Sequence, residues 1–438
     1  MKLQTAAPHR SCVGGASNYL LPPPPPPPPI PGDQIGRISL GTSGERFVAR
    51  RVRKWAPARL GPPPDAGAFY PKPESTGKCA AVGVVTTINP CTPAIQKVGE
   101  MNGWCLVVVG DTKTDAESYL ALKAKSAPGK VTYLSYEDQL KLPYKLVSVT
   151  PSKHFGRKNI GYLYAIHMGA TTIFDFDDDN EVIGDTIPDN FDRQGAMART
   201  GAAPVSYALL NPYALWPGGS GGMWPRGFPL TAINSQPDVN PEPGVRVVGV
   251  VQSLANIDPD VDAIYRLGPR VALPLPYLFP KRPQGQIVLG AGVYAPWNAQ
   301  ATLFNRGSMW AMLLPTTVHG RVSDIWRSYI AQRLMWTVKQ HVMFHDAFVS
   351  QTRNVHDYMG DFMSERPLYT SSEEIIRVLN DELGLTPKMS LPEAMEATYI
   401  ALYEFGFVEE QDVTSAQRWL QDLYLMGYEW PQVAGANK

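Results

Sequence analysis

The sequence predicts an α/β protein built on a mostly parallel β-sheet with flanking helices. Strand-like apolar runs alternate with helical patterns between residues 79 and 176. The apolar runs are continuous, as strands covered on both faces require. In addition, 44% of the residues are apolar, which allows a sizeable core. Strands that alternate with helices in this way predict right-handed βαβ units, whose strands are parallel.

The first predicted elements follow one another closely. Strands are predicted over residues 79–88, 104–111, 130–135 and 171–176. Helices are predicted over residues 92–103 and 156–170, where apolar residues recur at helical spacing. The four cysteines match no zinc or thioredoxin pattern. We expect Cys105, inside the second apolar run, to be a buried free thiol.

The second half of the chain is more varied. Residues 181–245 are rich in Pro and Gly and predict loops over the sheet, followed by a strand over 244–252. A strong helix is predicted over 320–340. His341 and His345 would then lie one helical turn apart, but Val342 replaces the Glu that a zincin motif needs, so we expect structural histidines.

The composition divides the chain into three parts. Residues 1–76 include the polyproline run Pro22 to Pro29, which cannot form a core, and we expect this segment to be disordered. Residues 77–365 form the predicted α/β domain, and residues 366–438 a helical C-terminal module. Two helices of that module are predicted to begin with capping boxes, Ser371 with Glu374 and Ser390 with Glu393.

Charge and hydropathy exclude some functions. The formal net charge is zero, which argues against a broad surface for nucleic acid. No apolar run reaches the length of a membrane span, and the first residues lack the apolar region of a signal peptide. We therefore expect neither a transmembrane anchor nor a signal peptide in this chain.

An acidic cluster follows the strand predicted over 171–176. Asp175, Asp177, Asp178 and Asp179 occupy four of five positions at the carboxyl end of this strand, where parallel sheets bind ligands. Clustered carboxylates repel unless a cation is present, and Mg²⁺ or Mn²⁺ accepts such oxygen ligands. We therefore predict Asp177, Asp178 and Asp179 as metal ligands; the alternative is an exposed acidic turn. An EF-hand is excluded because its sixth position would be Asn180 instead of Gly.

Phosphate groups are expected beside the metal. Arg157 and Lys158 open the helix before the acidic strand, and a helix N-terminus favours anions. Asp111 and Lys113 follow the second strand at the same sheet edge, where Asp111 could accept from a base or a ribose hydroxyl. These four residues are the predicted nucleotide- and phosphate-binding residues; for Arg157 and Lys158 the alternative is that they are ordinary surface basic residues.

The motifs together resemble the STELLO family of plant Golgi glycosyltransferases over about residues 78–435. The resemblance depends on "VVVGDTKT", "YLSYEDQ", "GRKNIGYLYAIHMGA", "IFDFDDDN", "DPDVDAIYRL", "GRVSDIWRSYIAQRL" and "EQDVTSAQRWLQDL". It implies a GT-A-like fold and a UDP-linked nucleotide-sugar donor, with a glycan or polysaccharide acceptor. It also implies a Golgi location, a role in cell-wall synthesis and an association with cellulose synthase subunits.

An inverting enzyme of this kind needs a base for the acceptor hydroxyl. Asp324, in the first turn of the helix over 320–340, is the candidate, although Asp at that position is equally suited to capping a helix. Arg353 and His356 are candidates for binding acceptor hydroxyls. Two other functions remain open: a nucleotide-sugar mutase, and a non-catalytic organiser of a cellulose synthase complex.

Overall fold

The computed structural model describes the chain from Phe69 to Val433 with gaps. The described residues are 69–73, 79–188, 196–200, 207–217, 222–234, 239–242, 247–268, 275–283, 285–353, 357–386 and 388–433. The polyproline run, and therefore the predicted disorder of that segment, lies outside them. No helix in the described ranges is long and apolar enough to span a membrane.

Strands and helices alternate between residues 81 and 176, as expected for an α/β fold, whereas strands predominate from there to residue 351 in the described ranges. The strands are β1 Ala81–Thr86, β2 Trp104–Val109, β3 Val131–Leu134, β4 Thr172–Phe176, β5 Asn180–Val182, β6 Ala196–Thr200, β7 Ala208–Leu209, β8 Val239–Glu242, β9 Val248–Ile257, β10 Ile287–Leu289, β11 Val293–Tyr294, β12 Ala301–Asn305 and β13 His341–Gln351. The α-helices are α1 Pro93–Glu100, α2 Ala116–Lys125, α3 Tyr136–Leu140, α4 Lys158–Met168, α5 Ala263–Leu267, α6 Gly320–Met335, α7 Tyr358–Arg377, α8 Leu391–Glu404 and α9 Glu410–Leu425.

The main sheet has the order β3-β2-β1-β4-β12-β9-β13-β10-β6-β8 among the described strands, and β5 pairs with β13. The first four strands in this order are parallel, which confirms the predicted βαβ units. Beyond β4 the sheet is mixed, because β12 is antiparallel to both of its neighbours. The carboxyl ends of β1, β2 and β4 therefore meet at one edge of the parallel half.

Helices cover both faces of the parallel half, which explains its continuous apolar runs. Every residue of β2 is buried. Cys105, Val107 and Val109 face the core on the α4 side, whereas Leu106 and Val108 face the core on the α1 and α2 side. Alternate residues of one strand thus serve two apolar layers, and neither face has room for polar residues.

Helix α4 packs very closely on the sheet through Gly161. A Cβ atom at this position would lie 2.4 Å from Cγ2 of Val109 and 2.8 Å from Cγ1 of Val84. Only glycine permits this approach. The contact fixes the N-terminal end of α4 beside the carboxyl ends of β1 and β2, where the candidate site lies.

Three local predictions were wrong. Cys105 is not a free thiol, because it forms a disulfide with Cys79, and their Cα atoms are 5.9 Å apart. His341 and His345 lie on strand β13 and not on a helix. Ser371 does not begin a helix, because α7 starts at Tyr358 with Asp357 as its N-cap. The boundary predicted at residue 366 consequently falls within α7.

The C-terminal helices dock on the α/β core, and Ser390 and Glu393 form the predicted capping box of α8. Asp412 accepts hydrogen bonds from the backbone N–H groups of Thr316 and Thr317, at 2.6 and 3.1 Å. The indole N–H of Trp419 donates to the carbonyl of Trp310 at 2.9 Å. Buried polar groups, together with apolar packing, thus fix these helices in one position.

The segment 69–73 also docks on α9, although the sequence predicted disorder up to residue 76. The hydroxyl of Tyr70 donates to Asp422 at 2.7 Å, and the Tyr70 N–H donates to the carbonyl of Leu425 at 2.8 Å. Asp422 also accepts the N–H groups of Lys145 and Leu146. Burial raises the pKa of Asp422 to about 6, and these hydrogen bonds oppose that effect.

The Tyr70→Phe variant should lower the free energy of unfolding by about 1 to 2 kcal/mol, because a half-buried carboxylate–hydroxyl hydrogen bond is lost while the ring remains. Urea denaturation would measure the change. Tyr358→Phe is the matched control, since Tyr358 is 37% exposed. Equal stabilities for the two variants would show that the Tyr70 contact contributes nothing.

Candidate active site

A cleft of about 420 Å³ opens at the carboxyl ends of β1, β2 and β4. Its lining comprises residues 86–89 at the end of β1, Asp111 and Lys113 after β2, residues 153–155 before α4, and residues 177–179 after β4. The volume is in the range of small-molecule sites, and the position is where open α/β sheets bind ligands. Five predicted site residues, Asp111, Lys113, Asp177, Asp178 and Asp179, therefore meet in one cleft.

The chain neutralises the inner part of the acidic cluster with its own cations. Asp175 is fully buried and pairs with Lys158 at 2.7 Å and with Arg327 at 2.9 Å. Lys158 also contacts Asp177 at 3.0 Å. Asp175 and Asp177 project to the same side of the extended chain, so that one ammonium group reaches both. The outer carboxylates face the cleft.

Hydrogen bonds fix the outer carboxylates. Thr87 Oγ1 and Asn89 Nδ2 both donate to Oδ2 of Asp178, the latter at 2.9 Å. Asp179 accepts from Nδ2 of Asn180 at 2.7 Å and from Nε2 of Gln351 at 3.2 Å. These donors hold the carboxylates in place, and they are neutral, so they leave the negative charge uncompensated.

The electrostatics of the cluster favour an added cation. Burial raises the pKa of Asp177 to about 7; Lys158 opposes this rise, and Asp179 and Asp175 add to it. Burial also raises the pKa of Asp179, and Asp178 adds to that rise. The ionised forms of both groups are therefore costly as they stand. A hard divalent ion suits such a set of oxygen atoms.

The described residues alone do not complete a metal site. Within the described ranges, no group of three or more His, Cys, Asp or Glu side chains could hold a metal ion. Mg²⁺ and Mn²⁺ sites that act on phosphates commonly use one or two carboxylates and take their remaining ligands from the substrate and water. Asp177 and Asp179 fit this second kind of site.

Two exposed lysines line the cleft. Lys113 and Lys153 are exposed, and no described residue forms an ion pair with either. Lys153 has a positive φ of 55°, which is uncommon for a residue other than glycine. Such backbone conformations cluster at functional sites. These two ammonium groups are the cations available to an anionic ligand in the cleft.

Arg157 and Lys158 do not occupy the predicted position in the cleft lining. Arg157 is 1% exposed, and its guanidinium donates to Gln139 Oε1 at 2.8 Å and lies over the ring of Tyr136. Lys158 is fully buried against Asp175 and Asp177. Lys158 supports the site from behind, because two carboxylates compensate its charge, whereas Arg157 is held by Gln139 and Tyr136 outside the cleft lining.

Asp111 organises the loop that carries Lys153. Its carboxylate accepts the N–H groups of Thr112 and His154, at 2.7 and 3.1 Å. The ring of His154 accepts the N–H of Gly156 at Nδ1, and burial lowers the His154 pKa. The neutral His154 ring therefore carries its proton on Nε2. Asp111 lines the cleft as predicted, but its contacts within the protein are structural.

Asp324 lies outside the cleft lining and is 3% exposed. The guanidinium of Arg226 binds both of its oxygens, at 3.1 and 2.8 Å, and Ala299 N–H donates to it at 3.2 Å. A base must reach an acceptor hydroxyl, and this carboxylate is enclosed by a buried cation. In this structure Asp324 is a buried ion-pair partner of Arg226, and its role as a base stays a prediction.

The predicted acceptor residues lie elsewhere as well. Arg353 is buried, 3.6 Å from both Asp258 and Asp260, and is not part of the cleft lining. His356 lies outside the described residues. Sequence reasoning missed Thr87, Asn89 and Lys153. Thr87 lies at the end of the first predicted strand and Asn89 directly follows it, so the rule that placed Asp111 at the sheet edge could have found them.

Comparisons with known proteins bear on the family. Residues 321–438 match a family model described as STELLO glycosyltransferases. Over 363 residues the chain is 28% identical to "Probable glycosyltransferase STELLO1" of Arabidopsis thaliana. This alignment covers 80% of this chain and 45% of that protein. "Probable glycosyltransferase STELLO2" of the same plant is 29% identical over 364 residues, with the same two coverages of 80% and 45%.

These matches confirm the resemblance to the STELLO family. The chain spans less than half the length of the two plant relatives. One solved structure, described as a mycobacterial protein, aligns with 68% of this chain and 74% of its own at 11% identity. Its TM-score of 0.32 is too low to support an argument about the fold.

Proposed function

We propose that this chain, which is related to the STELLO glycosyltransferases, is a GT-A-like glycosyltransferase domain that transfers a sugar from a UDP-linked donor to a glycan acceptor. The observation that supports this most is the cleft itself. It brings the carboxylates of Asp177 and Asp179 together with the ammonium groups of Lys113 and Lys153. Carboxylates that suit a divalent ion beside unpaired cations match the charge pattern of a metal–diphosphate complex.

In this proposal Asp177 and Asp179 hold Mn²⁺ or Mg²⁺, with Asp178 beside them. When bound, the metal neutralises the diphosphate leaving group as the sugar–phosphate bond breaks. Lys158 keeps Asp177 in place from behind, since its ammonium is held at the same time by Asp175 and by the carbonyl of Ala299. Tight positioning of the ligand carboxylates reduces the reorganisation needed at the moment of reaction.

The remaining lining residues bind the donor. Lys113 and Lys153 attract the diphosphate oxygens, and charge-assisted contacts of this kind are stronger than neutral ones. Ile88, which is 58% exposed, and Phe155 provide apolar surface for the nucleobase. Asp111 contributes by holding the N–H of His154, which fixes the loop bearing Lys153.

The biological setting is part of the same proposal. The family resemblance implies a Golgi location, a role in cell-wall synthesis and an association with cellulose synthase subunits. Co-purification of tagged chain with those subunits would test the association. If the chain co-purifies with those subunits but binds no nucleotide sugar, the result would favour a non-catalytic organiser over a transferase.

Calorimetric titration of the full chain with UDP, with and without Mn²⁺, tests the donor site. We expect metal-dependent binding that Lys153→Gln and Lys113→Gln each weaken about tenfold, since each removes one charge-assisted contact. Lys125→Gln, at an exposed lysine on α2, is the matched control and should bind as the original chain does. Absence of UDP binding, or a UDP affinity that neither lysine substitution in the cleft changes, would contradict the proposal.

A further inference from the structure

A second depression, of about 440 Å³, lies between the N-terminal end of α6, helix α7 and the turn before α9. We call it the α6–α7 groove. The residues that matter here are Val318, His319, Trp326, Arg366 and Phe407, all of which line it. None of these residues lines the cleft at the carboxyl ends of β1, β2 and β4.

The groove and the cleft share a wall. His154 of the cleft lining interacts with the backbone of Val318, which lines the groove. Phe155 of the cleft packs on Gly320, where an added Cβ would lie 3.2 Å from the Phe155 Cβ. The segment 318–320 therefore has the cleft on one side and the groove beside it. A ligand in the groove would lie next to a ligand in the cleft.

Two of the lining residues, Trp326 and Arg366, carry hydrogen-bond donors that lack a side-chain partner among the described residues. Trp326 is 3% exposed, and its indole N–H has no hydrogen-bond partner in the part of the chain that the structure describes. A buried donor left in this way is costly. His319 accepts the N–H of Arg321 at Nδ1, so the proton of its neutral ring is on Nε2, and Arg366 is exposed without an ion pair to any described residue.

The lining also limits the kind of ligand. None of the lining residues is a carboxylate, so the groove lacks the groups that would hold a hard metal ion or pair with basic side chains. Trp326 and Phe407 are in edge contact, with ring centroids 6.2 Å apart, and supply apolar surface beside the donors. A ligand that suits this lining has many oxygen acceptors and apolar C–H faces. Sugar units have both.

We propose that the α6–α7 groove binds an oligosaccharide and holds the distal part of the acceptor glycan while its end reaches the cleft. The acceptor role rests on the proposed transferase function, whereas saccharide binding in the groove does not. The hydroxyl and ring oxygens of the glycan accept from Trp326 and Arg366. Phe407 packs against a sugar face.

Calorimetric titration of the full chain without nucleotide tests the groove, with hexasaccharides of glucose, mannose, xylose and galacturonic acid as probes. At least one should bind saturably. Trp326→Phe removes the indole N–H and keeps an aromatic ring, and Arg366→Gln removes an exposed cation. Each should weaken that binding about three- to tenfold, as expected for one lost hydrogen bond. Trp336→Phe, outside the groove, is the matched control and should change nothing.

The outcomes separate the two proposals. Failure of every hexasaccharide, or binding that is indifferent to both Trp326→Phe and Arg366→Gln, overturns the groove proposal even where UDP binds. Inorganic phosphate binding that depends on Arg366, without any saccharide binding, also overturns it. Saccharide binding that persists in Asp177→Asn while UDP binding is lost supports a separate glycan site. Arg366 is exposed, so its variant remains informative if Trp326→Phe folds poorly.

Discussion

The Asp324→Asn variant should lower the free energy of unfolding by about 3 kcal/mol, which is the low end of the range for breaking a buried ion pair. Arg226 is 4% exposed and lies between Asp260 and Asp324. Asn cannot supply the charge that compensates Arg226 on the Asp324 side. Urea denaturation measures the loss. Asp185→Asn, at an exposed carboxylate, is the control and should stay within about 0.5 kcal/mol.

The same variant separates a structural role from a catalytic one. A carboxylate that acts only as a base could be replaced with little effect on stability and a large effect on transfer. We expect the reverse pattern: reduced stability, and unchanged UDP affinity at temperatures where the variant is folded. Unchanged stability with complete loss of transfer would contradict the ion-pair role and restore Asp324 as the candidate base.

The parallel half of the sheet was predictable because each of its strands is a continuous apolar run that serves two cores. The second half was harder. In β13, partly exposed residues occur at the start, in the middle and one residue before the end of the strand. His341 and His345, the first and fifth residues of this strand, also have the spacing of one helical turn. Pairing with β9 and β10 decides that it is a strand, and the sequence does not display such distant partners.

The candidate site, too, was only partly predictable from the sequence. The acidic residues and Lys113 were predictable because the carboxyl ends of parallel strands meet at one edge. The orientation of Lys158 was not, since it depends on Asp175, which lies on a different element and is buried beneath the cleft. A pattern can place a residue at a helix N-terminus, but the competing charges decide which way its side chain points.

The charge count at the end of β4 explains why a divalent ion suits it. Asp175, Asp177, Asp178 and Asp179 are four carboxylates, whereas Lys158 and Arg327 are the two cations in ion-pair contact with the cluster among the described residues. Two negative charges therefore remain. Asp177, Asp178 and Asp179 line the cleft and share this uncompensated charge, since Lys158 contacts only Asp177 among them.

Asp177→Asn and Asp179→Asn should each abolish the Mn²⁺-dependent stabilisation by UDP while the chain stays folded. At 100 times its dissociation constant a ligand stabilises a protein by about 2.7 kcal/mol, and this increment should vanish. Because the pKa of each carboxyl is raised in the folded protein, its ionised form is costly at neutral pH. The melting temperature without ligand should therefore stay the same or rise slightly in each variant. Thermal denaturation with and without UDP and Mn²⁺ measures both effects.

Asp185→Asn serves again as the control, because it removes an exposed charge outside the cleft and should keep the full response to UDP and Mn²⁺. A double variant of Asp177 and Asp179 that still binds UDP with undiminished metal dependence would refute the metal site. A fall of many degrees without ligand would instead show that Lys158 depends on Asp177 for compensation. Asp175 alone would then not compensate the charge of Lys158, and the main role of the cluster would be structural. The metal site predicts an unchanged or slightly raised melting temperature without ligand, whereas a structural salt bridge predicts a lowered one. One melting series therefore decides between them.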